Sequence, residues 1–166
     1  MQSRATLFGH PLHQVLVVLP LGLLAASVVF DLVHLLGDSE SAAIVARPLI
    51  AAGLVGGVVA APWGYLDWRA MARGSRAKSI GAWHGAGNVL VLLLFAGSWW
   101  LRQDETAPPP MLAHLLSFGA AAVALVAAWL GGELVDRLKT VPPRAPADTG
   151  SPPTEPPPMP PHPRAR

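Results

Sequence analysis

The sequence predicts an all-α fold: an integral membrane four-helix bundle followed by a disordered proline-rich tail. Of the 166 residues, 52% are hydrophobic and only 13% are charged, whereas soluble domains usually carry about 25% charged residues. Four stretches are almost free of charge over roughly 20 residues, the length that crosses about 30 Å of hydrocarbon. The chain then changes character, because its last 26 residues hold 11 of its 18 prolines.

The first two spans begin with long uncharged runs. The first run covers 11–30 and extends to residue 36 if the helix tolerates Asp31 and His34. Because it continues past any plausible cleavage point, we interpret it as a membrane helix rather than a signal peptide. The second run covers 48–66 without a charged residue.

The third and fourth spans rest on uncharged runs at 80–101 and 111–132, of 22 residues each. Both exceed the length that a membrane helix needs. The four predicted spans cover about 13–36, 47–67, 80–101 and 111–133. Together they define one transmembrane domain over 1–140.

The segment 141–166 has no periodic apolar pattern and is rich in proline. Such a composition cannot bury enough apolar surface to offset the entropy lost on ordering. We therefore predict a disordered tail on the cytoplasmic side.

The basic residues lie mostly on one side of the predicted membrane. Ten of the 12 flank the termini or the loop between the second and third spans, and the opposite loops are mainly acidic. The positive-inside rule assigns the basic side to the cytoplasm. Both termini are therefore predicted to be cytoplasmic.

Polar side chains in the first and third spans fall on one helical face each. Spaced by three or four residues or their multiples, they are His13, Ser27, Asp31 and His34 in the first span, and His84, Asn88, Ser98 and Arg102 in the third. Because polar groups are costly in lipid, both faces are predicted to point into the bundle. An ion pair between Asp31 and Arg102 would neutralise two charges at the outer end. Asp67 is expected to accept hydrogen bonds from His13 or His84, and Asn88 to bridge helices.

The second and fourth spans carry stripes of small residues instead. These are Gly53, Gly57, Ala60 and Gly64 in the second span, and Ser117, Ala121, Ala124, Ala128 and Gly131 in the fourth. Small residues let membrane helices approach closely, which predicts a compact bundle of antiparallel neighbours. The polar side chains of the bundle then form two layers, one at its cytoplasmic end and one at its outer end, and Glu133 lies near the cytoplasmic layer. The apolar middle argues against an open aqueous pore.

Three motifs occur in a fixed order over about residues 8–138. They are Gly9-His10-Pro11-Leu12-His13 at the start, Gly64 with Leu66-Asp67-Trp68 at the end of the second span, and Gly131-Gly132-Glu133-Leu134-Val135 closing the fourth. This ordered set resembles an uncharacterised bacterial family of four-helix inner-membrane domains of unknown function. Gln14 and Asp136 depart from the family pattern, which usually has a proline and an aromatic residue there.

The resemblance implies a bacterial inner-membrane location and no assigned activity. Some relatives are joined to Rieske-type iron–sulfur domains, which implies electron transfer in the membrane. This chain has no cysteine, so a redox role would need a bound cofactor or a membrane redox partner. We predict an accessory or structural component of a membrane complex; the alternative is a membrane electron-transfer or metal- or haem-binding protein.

Histidines at the span ends are the candidate cofactor ligands. Haem b held by two imidazoles needs one on each side of the iron, which suggests His13 with His84 and His34 with His114. A transition-metal set of His10, His13, His84 and Asp67 is the other candidate. In that set, His10 and His13 share a face only if residues 10–13 are helical.

Other classes of function find little support. Ser27 and Ser98 have no nucleophile elbow or neighbouring base, and no phosphate-cradling loop occurs. The sequence therefore does not indicate an enzyme, and no nucleic-acid partner is expected. The expected partners are the lipid bilayer and, beyond it, a membrane redox protein or a second copy of the chain.

Overall fold

The computed structural model describes residues 6–7, 10–104 and 108–140, with side chains described over 13–104 and 108–135. Its four helices are α1 Leu12–Gly37, α2 Glu40–Ala70, α3 Arg76–Leu101 and α4 Met111–Thr140. All four are long and apolar enough to cross a membrane, so the predicted all-α membrane fold is confirmed. The predicted tail at 141–166 lies outside the described residues.

All four helices extend beyond their predicted spans, α2 and α4 most of all, and a short strand pair precedes α1. α2 begins at Glu40 and α4 continues to Thr140, because polar residues at the ends of a membrane helix can extend it beyond the hydrocarbon. Strand β1, Thr6–Leu7, pairs with β2, His10–Pro11, in an antiparallel register. Residue 10 is therefore extended, and His10 and His13 do not share a helical turn as the predicted metal set requires.

A serine caps the N-terminus of both α2 and α3, and in each case the residue just before the serine has a left-handed backbone conformation. Ser39 accepts a hydrogen bond from the Ala42 amide, and Ser75 accepts one from the Lys78 amide, as N-cap residues commonly do. Just before the caps, Asp38 has φ +49° and Gly74 has φ +74°, and aspartate and glycine tolerate this region best. The two turns thus fix the residues at which α2 and α3 begin.

The four helices form two similar hairpins. α1 packs extensively on α2 and α3 on α4, while α2 and α3 share a smaller interface and α1 and α4 a smaller one still. Polar residues of α1 recur in α3 at a spacing of 71 residues: His13 with His84, Ser27 with Ser98, and Asp31 with Arg102. The chain is thus built from two hairpins of like orientation, set side by side.

An apolar core fills the middle of the bundle. Leu24, Ile50, Val91, Phe95 and Ala120 form it. The outward faces carry exposed apolar side chains, among them Val18, Leu19, Val55, Val58, Leu93, Leu125 and Val126. An apolar surface around an apolar core suits a chain surrounded by lipid.

The small residues of α2 lie at helix contacts, as predicted. A Cβ on Gly53 would come within 2.6 Å of Leu24 Cγ on α1, and one on Gly57 within 2.6 Å of Leu92 Cδ2 on α3. Neither position has room for a larger residue without movement of its neighbour.

The predicted contact face of α4 is wrong by one residue over part of its length. Ala120 and Ala127 are buried, whereas Ala128 is exposed and Ala121 only partly buried. Because alanine occupies both 120 and 121, and both 127 and 128, helical spacing alone fits either contact face. Ala120 is the alanine that belongs to the buried cluster with Phe95.

Candidate functional site

A cluster of buried polar side chains lies at one end of the bundle. We call this the acidic end, because the α1–α2 turn there carries Asp38 and Glu40; the opposite, basic end carries the α2–α3 loop with Arg73 and Arg76. The cluster consists of Asp31, Ser98, Arg102, His114 and Ser117, and we call it the Arg102 cluster. Each member is between 0% and 3% exposed.

Three helices contribute to the cluster. Asp31 lies six residues before the end of α1, about 9 Å inside it at 1.5 Å per residue. Arg102 caps the end of α3, and His114 and Ser117 lie on the first turns of α4. The long arginine side chain therefore reaches into the bundle from its end.

Arg102 and Asp31 form a two-point ion pair. Arg102 Nη1 donates to Asp31 Oδ1 at 2.7 Å, and Nη2 donates to Asp31 Oδ2 at 2.8 Å. Parallel hydrogen bonds of this kind are the strongest that a guanidinium and a carboxylate make. The pair that the sequence stripes suggested thus joins the two hairpins at equivalent positions.

The two serines complete the arginine's partners. Arg102 Nε donates to Ser98 Oγ at 3.2 Å, and Nη2 donates to Ser117 Oγ at 3.2 Å. Ser98 itself donates to the carbonyl of Ala113 at 2.8 Å, so in the 2.9 Å contact between the serines Ser117 is the donor. This assignment satisfies both hydroxyl groups, and the network ties α3 to α4 as well as to α1.

Substituting the two equivalent serines should separate their roles. We expect Ser98→Ala to lower the free energy of unfolding by about 1–2 kcal/mol, since Arg102 Nε and Ser117 each lose a buried partner. Ser27 donates only to Leu24 of its own helix, at 2.7 Å, so Ser27→Ala should change it by less than about 1 kcal/mol. Denaturant unfolding in detergent measures both, and equal losses would contradict the assigned network.

The basic end carries two matching histidine contacts. His13 Nδ1 lies 3.1 Å from the carbonyl oxygen of Ala60, and His84 Nδ1 lies 2.7 Å from that of Ala127. A carbonyl only accepts, so Nδ1 carries the hydrogen in both rings. Each imidazole ties the first helix of its hairpin to the second.

A glycine lies beneath each of these rings. A Cβ on Gly64 would come within 2.9 Å of His13 Cε1, and one on Gly131 within 2.9 Å of His84 Cε1. The small residues that the sequence analysis interpreted as helix contacts therefore make room for imidazole groups at these two positions.

Two predicted contacts at the basic end differ in the structure. The Nδ1 atoms of His13 and His84 bond to main-chain carbonyls rather than to Asp67. Asn88 donates to the His84 carbonyl and to its Nε2, each at 3.0 Å, and so bonds within α3 instead of bridging helices. Asp67 and Glu133 each have other interactions.

The His34–His114 pair does not fit two-sided haem ligation. The structure brings these rings together, but stacked, with centroids 5.5 Å apart and planes 19° from parallel. Two axial imidazoles instead point a nitrogen at one iron from opposite sides. His34 Nδ1 lies 3.1 Å from the carbonyl oxygen of Ser39, in the α1–α2 turn.

The predicted metal set is not brought together in the part of the chain with described side chains. Over 13–104 and 108–135, no three His, Asp or Glu residues form a group that could hold an ion. His13 and His84 lie in different hairpins. The side chain of His10 lies outside the described set, so a metal site that includes it stays a prediction.

Sequence reasoning missed two partners in these contacts. Ser117 was assigned to helix packing, although it accepts from Arg102. Trp68 was not singled out as a link between helices, yet its Nε1 donates to the Lys78 carbonyl at 3.0 Å. The spacing of Ser98 and Arg102, four residues apart, was a usable signal for the first; nothing in the sequence marked the second.

The fold and the site define a class: a membrane protein of four helices whose two hairpins are joined by a buried arginine–aspartate pair. The chain belongs to the family described as Predicted membrane protein (DUF2231), whose model matches residues 9–141. The resemblance found in the sequence motifs is confirmed by this match. No curated protein and no solved structure matches the chain.

Proposed function

We propose that this protein is an accessory or structural component of a membrane complex. The observation that carries the proposal is that the buried and half-buried polar side chains bond to one another or to neighbouring helices. Arg102, Asp31, Ser98 and Ser117 bond to one another, and His13 and His84 bond to neighbouring helices. These groups hold helices together, and the layer between them is an apolar core.

The described surface supports the same proposal. The exposed face of α1 at the acidic end carries Val29, Leu32, Val33, Leu36 and Gly37. All five are apolar, which suits an acyl chain or a neighbouring membrane helix rather than a polar substrate. The orientation we propose places the basic end in the cytoplasm of a bacterial inner membrane, following the positive-inside rule.

A second candidate, membrane electron transfer with haem b, is favoured by one observation. In both His13 and His84 the Nδ1 hydrogen is directed to a carbonyl, which is the arrangement that orients ligating histidines. His84 Nε2 already accepts from Asn88. The equivalent position in α1, 71 residues earlier, is Val17, which offers no such donor to His13.

One preparation tests both proposals. The full chain is purified from its native membranes in mild detergent, and its native-gel migration and visible spectrum, oxidised and reduced, are recorded. An accessory component is expected to migrate at a fixed ratio with another membrane protein and to be colourless. Migration only as the 17.4 kDa chain or its multiples would overturn this proposal.

The same spectrum decides the haem candidate. Sharp reduced bands with near-stoichiometric iron would support it, provided that His13→Phe or His84→Phe abolishes them. His162→Ala, in the tail, is the matched control and should leave them unchanged. A colourless preparation made with ample haem supply would rule the candidate out.

A further inference from the structure

His114 is a buried imidazole whose ring nitrogens lack well-formed hydrogen bonds. Its side chain is 1% exposed, and among the described residues neither ring nitrogen has a hydrogen bond of full geometry, although the Pro110 backbone interacts with the ring. A neutral imidazole carries one donor and one acceptor, and leaving either unmade in a buried site costs about 1–3 kcal/mol. The remaining members of the Arg102 cluster are hydrogen-bonded, so His114 is the exception among them.

The ring stands beside an anion. His114 Nε2 lies 3.8 Å from Asp31 Oδ1, which is within the distance of an ion pair if the ring carries a charge. Arg102 already neutralises Asp31, and a neutral ring at this distance makes no hydrogen bond to the carboxylate. An added proton would make both ring nitrogens donors and would place a positive charge beside the carboxylate.

A stack of two imidazole rings leads from His114 towards the surface of the acidic end. The ring stacks on His34, which is only partly buried and lies one turn before the end of α1. His34 in turn contacts the carbonyl of Ser39 in the α1–α2 turn. Below the cluster, Leu24 and Phe95 belong to the apolar core, so the polar groups do not continue towards the basic end there.

We propose that His114 is a proton-binding site filled from the acidic end by way of His34. A hydronium ion at the acidic end loses a proton and becomes water, the ring nitrogen that holds the lone pair gains that proton, and the cluster gains one positive charge. The proton returns by the same side, because the apolar core blocks onward transfer.

The charged and titratable groups that act on His114 belong to α1 and to the end of α3. On α1, Asp31 attracts an added proton, and a charged His34 would repel it. On α3, Arg102 repels it at close range. Arg47 on α2 donates from Nη2 to Gln103 Oε1 at 3.2 Å.

The test is a histidine titration of the full chain in nanodiscs, followed by nitrogen NMR of ¹⁵N-labelled imidazoles. The His114 signal is identified as the one absent from His114→Phe. We expect it to titrate reversibly, and we expect its midpoint to fall in Asp31→Asn, which removes the neighbouring anion. A signal that keeps one protonation state throughout would overturn the proposal, as would an unchanged midpoint in Asp31→Asn.

A second measurement does not depend on the folding of Asp31→Asn. Proteoliposomes are subjected to a pH jump on one side, and proton uptake is followed with an indicator dye. The wild-type chain is expected to take up one more proton than His114→Phe, and His34→Phe is expected to slow that uptake. Equal uptake by the wild type and His114→Phe would overturn the proposal.

Discussion

Removing one charge of the Asp31–Arg102 pair should lower the free energy of unfolding by about 3–5 kcal/mol. Either Asp31→Asn or Arg102→Met leaves the opposite charge at a position that is between 0% and 3% exposed. In water the remaining charge would be solvated, but here its surroundings are the two serines, the buried ring of His114 and an apolar core. The loss is measured by denaturant unfolding in detergent micelles.

Exchanging the two charges is the control. Because Asp31 and Arg102 occupy equivalent positions of the two hairpins, Asp31→Arg combined with Arg102→Asp keeps one anion and one cation at the seam. We expect the double variant to recover a substantial part of the stability lost in either single reversal. Recovery is partial, because Ser98 and Ser117 remain placed to accept from an arginine on α3. No recovery would mean that the pair does not hold the hairpins together.

Gly131→Ala should lower the free energy of unfolding by about 1–3 kcal/mol, the usual range for overpacking. The new Cβ would lie 2.9 Å from His84 Cε1 and 3.1 Å from its Nδ1. The ring cannot withdraw without losing its 2.7 Å contact with the Ala127 carbonyl. The next residue provides the control: a Cβ on Gly132 meets nothing within 4 Å.

Gly132→Ala, at the adjacent position, should raise the free energy of unfolding instead of lowering it. Gly132→Ala gains helix propensity of up to about 1 kcal/mol without a clash. Adding His84→Ala should remove most of the penalty of Gly131→Ala, since the ring that causes the clash is gone. Thermal unfolding of Gly131→Ala, Gly132→Ala, His84→Ala and the Gly131→Ala/His84→Ala double variant measures this, and a penalty that persists without the imidazole would show that something else opposes the methyl group.

The pairing of Asp31 with Arg102 and the inward direction of the polar stripes could be predicted from the sequence. Both follow from helical spacing, because a charged group three or four residues from other polar groups is forced onto one face. Because the chain has so few charged residues within its spans, Asp31 and Arg102 were the obvious partners for each other.

The histidine acceptors and the α4 face could not be predicted for different reasons. Every helical residue has a carbonyl, so the sequence does not show that Ala60 and Ala127 accept from imidazoles. On α4, alanine stands at both 120 and 121 and at both 127 and 128, and helical spacing cannot distinguish them. The extended backbone at His10 could have been anticipated from Pro11, which allows a helix only from its first turn.

The 71 residues between Asp31 and Arg102 also set an order in time. At about 5–20 residues per second, the ribosome adds the arginine roughly 4–14 s after the aspartate. The first hairpin therefore meets the membrane carrying an acid whose partner does not yet exist. Until α3 emerges, that carboxylate must stay protonated, stay near water or be shielded by the insertion machinery, and so the slowest point of biogenesis is expected between the two hairpins.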